Sequence, residues 1–146
     1  MDAAVDFVVE SPHTNEVLFV EAKSINSPSA EWAGTFARRV LGPAAPEANH
    51  FLLLVLRNYL YLWKHYPHEG SELPDFSGRT EEVLKPYLEN VRTSLRDMSG
   101  PSFDLLVKSW LTDISEGIVP PSVGRWMHAA GLDQFANGIL REEQRN

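Results

Sequence analysis

The sequence predicts an α/β domain with a small mixed β-sheet and a helical C-terminal half. The N-terminal part contains two strand-like runs, an amphipathic helix and two more strand-like runs, and the rest of the chain carries apolar residues at helical spacing. With 146 residues and 43% hydrophobic content, the chain has the size of one ordinary domain. We therefore expect a single domain over residues 1–146, with a sheet-and-helix core at 1–66 and the helical half at 79–146.

The first two strands are expected to form a hairpin. Residues 6–10 and 17–23 are rich in Val and Phe, and residues 11–16 supply turn-forming types between them. Folding the hairpin symmetrically about His13 and Thr14 sets its register. The expected cross-strand pairs are Glu10 with Val17, Val8 with Phe19, and Asp6 with Glu21.

Charged side chains are expected to meet at the end of this hairpin. Side chains alternate between faces along a strand, so Glu21 and Lys23 project together and Asp6 faces Glu21. Directly opposed residues lie about 4.5–5.5 Å apart at Cβ, and two carboxylates this close repel unless a proton or a cation lies between them. An all-oxygen site suits Mg²⁺ or Mn²⁺, with Glu10 as a further candidate, and Lys23 can hold water or a phosphate oxygen beside the ion. The pattern indicates phosphodiester hydrolysis.

Residues 5–64 resemble the PD-(D/E)XK superfamily of nucleases, which has the restriction-endonuclease-like fold. The resemblance is carried by the acidic Asp6 that opens one strand, the Glu21-x-Lys23 motif in the next, a following helix, and the strand pair in residues 50–64. It implies that Asp6 and Glu21 are ligands of Mg²⁺ or Mn²⁺ and that Lys23 is the catalytic lysine. It also implies a nucleic-acid substrate, and of DNA and RNA we expect DNA.

The chain departs from the family pattern at its start. Val5 stands where the family name has proline, and the helix and strand that usually precede the Asp-bearing strand are lacking because only five residues precede Asp6. A sheet without its first strand would have an open edge, which favours pairing with another chain. We therefore expect a homodimer, or a partner chain that completes the sheet.

An amphipathic helix should follow the hairpin. Ser27 is expected to cap it, Pro28 to be its first residue, and Gly42 to end it. Arg38 and Arg39 fall off its apolar face. This arginine pair is interpreted first as a solvated helix surface, and alternatively as a contact to phosphates beside the metal site.

Two further strands are predicted at residues 51–56 and 59–64. Tyr59, Tyr61 and Trp63 share one face of the second strand. Such a row could stack nucleic-acid bases, although packing against a helix is favoured. Loops are expected at residues 42–49 and 65–78.

The C-terminal half is predicted to be helical. Its helices carry apolar residues over 83–95, 103–114, 123–127 and 132–140. These faces are expected to pack on the sheet and on one another, with a protomer interface as the alternative for one of them.

Composition limits the class of protein. No apolar run approaches the roughly 18 residues needed to cross a membrane, and the N-terminus lacks a signal pattern, so we expect no membrane association and a cytoplasmic location. The chain has no cysteine, which excludes disulfides and thiolate metal sites. Its net charge of −7 argues against tight non-specific binding to DNA unless a local patch has the opposite sign. Two functions are therefore weighed: a Mg²⁺- or Mn²⁺-dependent nuclease, and an inactive nuclease-fold module that binds protein or nucleic acid.

Overall fold

The computed structural model describes residues 5–41, 50–64, 73–89 and 91–143, and it shows the predicted mixed α/β fold. Within these residues six strands form one sheet: β1 (Phe7–Glu10), β2 (Val17–Ala22), β3 (His50–Val55), β4 (Tyr59–Trp63), β5 (Phe76–Arg79) and β6 (Ile139–Glu142). The same residues contain five α-helices: α1 (Ala30–Leu41), α2 (Thr80–Val83), α3 (Lys85–Leu88), α4 (Gly100–Ser115) and α5 (Pro121–Ala130). The loops expected at 42–49 and 65–72 lie outside the described residues.

The strand order is β5-β4-β3-β2-β1-β6. Strands β2 and β3 run parallel and are connected through α1, and the other neighbouring strands are antiparallel. A parallel pair requires a crossover connection, which the helix supplies. The C-terminal ends of β2 and β3 therefore lie at the same end of the sheet, and Lys23 directly follows β2 there.

The sheet has a hydrophobic core on each face. One core lies against α1 and includes Leu52, Leu54, Tyr61 and Trp63. The other contains the alternate residues of the same strands with the apolar sides of α4 and α5, among them the fully buried Trp110. Strands covered on both faces have no polar side to present, which explains the continuous apolar run of β3.

The hairpin register agrees with the sequence prediction over most of its length, because Val8 pairs with Phe19 and Glu10 with Val17. The regular ladder ends at the Phe7–Val20 pair, where the chain bends at Asp6. The backbone N–H of Asp6 donates to the Val20 carbonyl at 3.0 Å, so Asp6 stays beside Val20. The ladder has the predicted register but stops one residue before the predicted pair of Asp6 with Glu21.

The start of α1 also differs from the prediction. The helix begins at Ala30, and the Ser29 hydroxyl, not that of Ser27, accepts the N–H of Trp32 at 3.1 Å. Ser27 instead donates from its hydroxyl to the Ser29 carbonyl at 2.7 Å, because it is drawn into contacts with β4. The helix ends at Leu41, as predicted from the glycine that follows.

Part of the predicted loop and the first predicted C-terminal helix have other structures. Residues 76–79 form β5 at the sheet edge, where they pair with β4. Where the first C-terminal helix was predicted, the described residues form the two short helices α2 and α3, and residues 91–99 are irregular. The helix predicted over 103–114 and the short one over 123–127 are confirmed as α4 and α5.

The last predicted helix is wrong. Gly131 has a positive φ and ends α5, residues 133–135 form one 3₁₀ turn, and the chain then enters β6. Strand β6 pairs antiparallel with β1 along its outer edge. The expectation of an open edge beside β1 is therefore wrong, and the argument for a homodimer that depended on it no longer holds.

A helix must be long and apolar to cross a membrane. The longest described helix is α4, with 16 residues. In the ranges that the structure covers, no helix is both long and apolar enough to cross a bilayer.

Candidate functional site

The candidate site lies where β2 ends. Glu21 is the second-last residue of this strand, and it is buried, with 1% of its surface exposed. The Lys23 Nζ lies 3.9 Å from the Glu21 Oε2, and 38% of the lysine side chain is exposed. The structure thus brings the predicted Glu21 and Lys23 together, with the carboxylate inside and the ammonium group at the surface.

Asp6 reaches the same place through a different contact from the one predicted. One oxygen of its carboxylate, Oδ2, accepts the backbone N–H of Ala22 at 2.8 Å. Ala22 stands directly between Glu21 and Lys23 in the chain. The three predicted residues therefore share one neighbourhood, and the Asp6 carboxylate is oriented by a main-chain hydrogen bond.

The backbone at this end is fixed by β3. The N–H of Lys23 donates to the Val55 carbonyl at 3.0 Å, and the N–H of Arg57 donates to the Ile25 carbonyl at 2.9 Å. The segment after β2 thus continues beside the end of β3. The position of Lys23 follows from these contacts and not only from its place after Glu21.

A second set of contacts folds residues 24–29 over the sheet. The Asn58 side chain accepts from the Ser27 N–H at 2.8 Å and donates to the Ser27 carbonyl at 2.7 Å. The Tyr61 hydroxyl donates to the Ser27 hydroxyl at 3.0 Å. Ser27 is buried, so this polar cluster fixes the backbone of the segment that follows Lys23.

Arg57 is a structural residue that the sequence analysis did not identify. Its Nε donates to the Ser24 carbonyl at 2.7 Å, and its terminal nitrogens donate to the carbonyls of Leu95 and Met98. It also lies 6.0 Å from the Phe103 ring centroid. Its partners are up to 41 positions away, so no local pattern signals this role.

Glu10 lies at the opposite end of the hairpin from Glu21. It pairs with Val17, four residues before Glu21 on β2, which corresponds to about 13 Å. Its Oε1 is 3.7 Å from the Arg141 Nη2 on β6. The structure does not bring this candidate to the site.

Arg38 and Arg39 are also separated from the site. Both are exposed in the last turn of α1, and the helix starts beside the end of β2 and runs toward the start of β3. Eight residues separate Ala30 from Arg38, which is about 12 Å along a helix axis. The position fits a solvated helix surface better than a contact to a phosphate at Glu21.

The carboxylates of Asp6 and Glu21 are oxygen ligands of the kind that a hard divalent cation prefers, but they are only two. Across the part of the chain that the structure covers, no three His, Cys, Asp or Glu side chains gather closely enough to hold a metal by themselves. Mg²⁺ is commonly bound through only one or two carboxylates, with water and substrate phosphate as the other ligands. Ligating carboxylates are themselves usually oriented by hydrogen bonds, as the Asp6 carboxylate is by Ala22. Asp6 and Glu21 therefore fit such an ion.

Comparison of the chain with protein-family models, with curated proteins and with solved structures gives no match.

Proposed function

We propose that the protein is a Mg²⁺- or Mn²⁺-dependent phosphodiesterase that acts on nucleic acid, of the PD-(D/E)XK type. The proposal depends on the pair formed by Lys23 and the buried Glu21, whose Nζ and Oε2 atoms are 3.9 Å apart. Next to this pair, a hydrogen bond orients the carboxylate of Asp6. Burying a carboxylate costs free energy, so a buried acid beside a half-exposed cation is a candidate for chemistry.

Each residue has a distinct role in this proposal. Asp6 and Glu21 would hold the divalent ion, which when bound lowers the pKa of water and neutralises charge on the phosphate. Lys23 places its ammonium group where it can hold the attacking water or a non-bridging phosphate oxygen. The hydrogen bonds of Ser27 with Asn58 and Tyr61 fix the backbone of the segment that follows Lys23.

A non-catalytic nuclease-fold module is the second candidate, and one observation favours it. The Asp6 carboxylate accepts the Ala22 N–H just where the regular β1–β2 ladder has ended. This hydrogen bond gives Asp6 a structural role that does not require a metal ion. In that case the fold would serve as a binding subunit.

Metal binding separates the two candidates. Titrating Mn²⁺ into the protein should raise its melting temperature, because an ion that binds only the folded state stabilises it by mass action. At ten times the Kd, the gain is about 1.4 kcal/mol, or about 3–6 °C for a chain of this size. Differential scanning calorimetry measures the shift.

Two variants make the measurement specific. Glu21→Gln should abolish the shift, whereas Glu10→Gln should retain it, because Glu10 is a carboxylate of the same hairpin that lies at its other end. Cleavage of supercoiled plasmid, linear duplex, single-stranded DNA and RNA then tests activity with each ion. No shift in the wild type at millimolar Mn²⁺ would refute the catalytic proposal, and an equal loss in both variants would refute the site.

A further inference from the structure

A groove opens at the same end of the sheet as Lys23. It is a cavity of about 530 Å³, and its lining includes Asn26, Tyr59, Arg79 and Arg96; we call it the Tyr59 groove. Asn26 belongs to the segment that follows Lys23, and Tyr59 is the first residue of β4. The groove and the candidate site are therefore built on the same short segments.

The strand register gives their separation. Ala22 pairs with Val55, and Val55 pairs with Leu60. Lys23 and Tyr59 lie in the next row, two strand spacings apart, which is about 10 Å. Arg79 pairs with Tyr59 in that row and lies one spacing further on. A linear polymer bound at Lys23 could thus extend to Tyr59 and then to Arg79.

The charge of the Tyr59 groove is opposite to that of the whole protein. Its lining contains three arginines and one glutamate, whereas the chain has 13 basic and 20 acidic residues. The guanidinium of Arg57 is occupied by backbone carbonyls but still contributes its positive charge. Arg79 lies 3.7 Å from Glu82, and both side chains are more than half exposed, so this weak pair can exchange for a phosphate.

Tyr59 supplies an aromatic surface. It is 38% exposed, whereas Tyr61 and Trp63 on the same side of β4 are buried in the core. Packing therefore accounts for two of the three aromatics and leaves Tyr59 open to the groove. Because the ring lies in a cavity, a base must be unstacked and unpaired to contact it.

The groove continues beyond one nucleotide. A second cavity, also of about 530 Å³, extends to Lys85 and shares four lining residues with the first: Arg79, Glu81, Leu95 and Arg96. Basic side chains thus line both cavities, but in the second one they are matched by three acidic side chains, Glu81, Glu82 and Glu89. A single strand needs such a path for its phosphates together with a ring for a base.

We propose that the Tyr59 groove binds single-stranded nucleic acid, with a base on Tyr59 and phosphates at Arg79 and Arg96. The inference deepens the proposed function, since it assigns the class of substrate that the site at Lys23 would receive. The shared chemistry is a flexible polyanion with bases, which DNA and RNA both supply.

The test is fluorescence anisotropy in EDTA, where no metal-dependent cleavage occurs. The probes are labelled oligo(dT) and oligo(U) of about eight nucleotides and a duplex of matching length. Wild type should bind at least one single strand more tightly than the duplex, with an affinity that falls as salt rises. Arg96→Glu and Arg79→Gln should each weaken binding about fivefold or more, and so should Tyr59→Leu.

The controls separate this inference from the nuclease proposal. Arg125→Glu, an exposed arginine on α5 that lines neither cavity, should retain binding within about twofold. The assay contains no divalent ion, so its outcome does not depend on metal binding at Glu21. Absence of single-strand binding, or equal loss in Arg96→Glu and Arg125→Glu, would overturn the groove whatever the metal titration shows. Groove binding without a metal shift would support this inference and refute catalysis.

Discussion

Replacing Lys23 distinguishes catalysis from simple metal binding, because it should change metal affinity and turnover in opposite directions. Lys23→Met retains the aliphatic stem of the side chain and removes its charge. The Nζ lies 3.9 Å from the Glu21 Oε2, where unit charges interact by about 4 kcal/mol at an effective dielectric constant of about 20. Since 38% of the lysine side chain is exposed, solvent screening reduces the effective value to about 1 kcal/mol.

The magnitude for metal binding follows from that figure. The ammonium group repels a divalent ion held at Glu21, so removing it should strengthen Mn²⁺ binding by about fivefold to tenfold. Isothermal titration calorimetry measures this affinity directly. If Lys23 acts on the transition state, turnover should instead fall by at least about a hundredfold, as for loss of one electrostatic catalytic group.

A matched control removes a comparable ion pair elsewhere. The Lys108 Nζ on α4 lies 2.8 Å from the Glu142 Oε2 on β6, so Lys108→Met deletes a lysine–carboxylate pair away from the end of β2. Neither metal affinity nor turnover should change in this variant. If cleavage persists undiminished in Lys23→Met, or if its Mn²⁺ affinity drops, the assigned role of Lys23 is incorrect.

Two predictions concern the fold itself. Gly138→Ala should lower the free energy of unfolding by about 1–3 kcal/mol in urea titrations, because a Cβ there would meet the carbonyl oxygens of Glu10 at 2.6 Å and Phe135 at 2.7 Å. Gly124→Ala in α5 meets only Val119 Cγ1 at 3.3 Å and should be neutral or stabilising; equal losses would contradict this account. Burial and the hydrogen bond to Asp113 raise the pKa of Tyr87 above its usual 10.0. The contribution of Tyr87 to the free energy of unfolding is therefore complete below pH 10. It is lost above pH 10, because the tyrosine ionises in the unfolded chain before it ionises in the folded protein. Tyr87→Phe should reduce the alkaline loss of stability measured by thermal melts between pH 9 and 11, and an unaltered pH profile would argue against this linkage.

The sequence predicted those parts of the fold whose signals are local. Val8 and Phe19 alternate with residues of the other face, and their pairing was confirmed. The apolar spacing from Phe103 to Ile114, with a glycine on either side, identified α4. Glu21 and Lys23 were found together because their distance depends mainly on the short strand that carries them.

Other parts depended on contacts between distant segments. Residues 132–140 have apolar side chains at helical spacing, yet the buried Leu132 and Phe135 lie before and at the end of a 3₁₀ turn, while Leu140 lies on a strand. Asn137 adopts a positive φ and Gly138 approaches the β1 backbone closely, so the chain turns here into the sheet edge. A pattern of apolar residues cannot reveal that β1 offers this edge.

The position of Asp6 shows why this difference matters for the site. Its N–H donates to the Val20 carbonyl on β2, and its carbonyl accepts the N–H of Glu143, which follows β6, at 2.9 Å. Asp6 is therefore held between a strand close to it in sequence and the far end of the described chain. The same residue then directs Oδ2 to the Ala22 N–H. Without β6 the backbone of Asp6 would lose the hydrogen bond from Glu143 and keep the one to Val20. The position of the Asp6 carboxylate, which belongs to the N-terminal hairpin, therefore depends on the C-terminal strand.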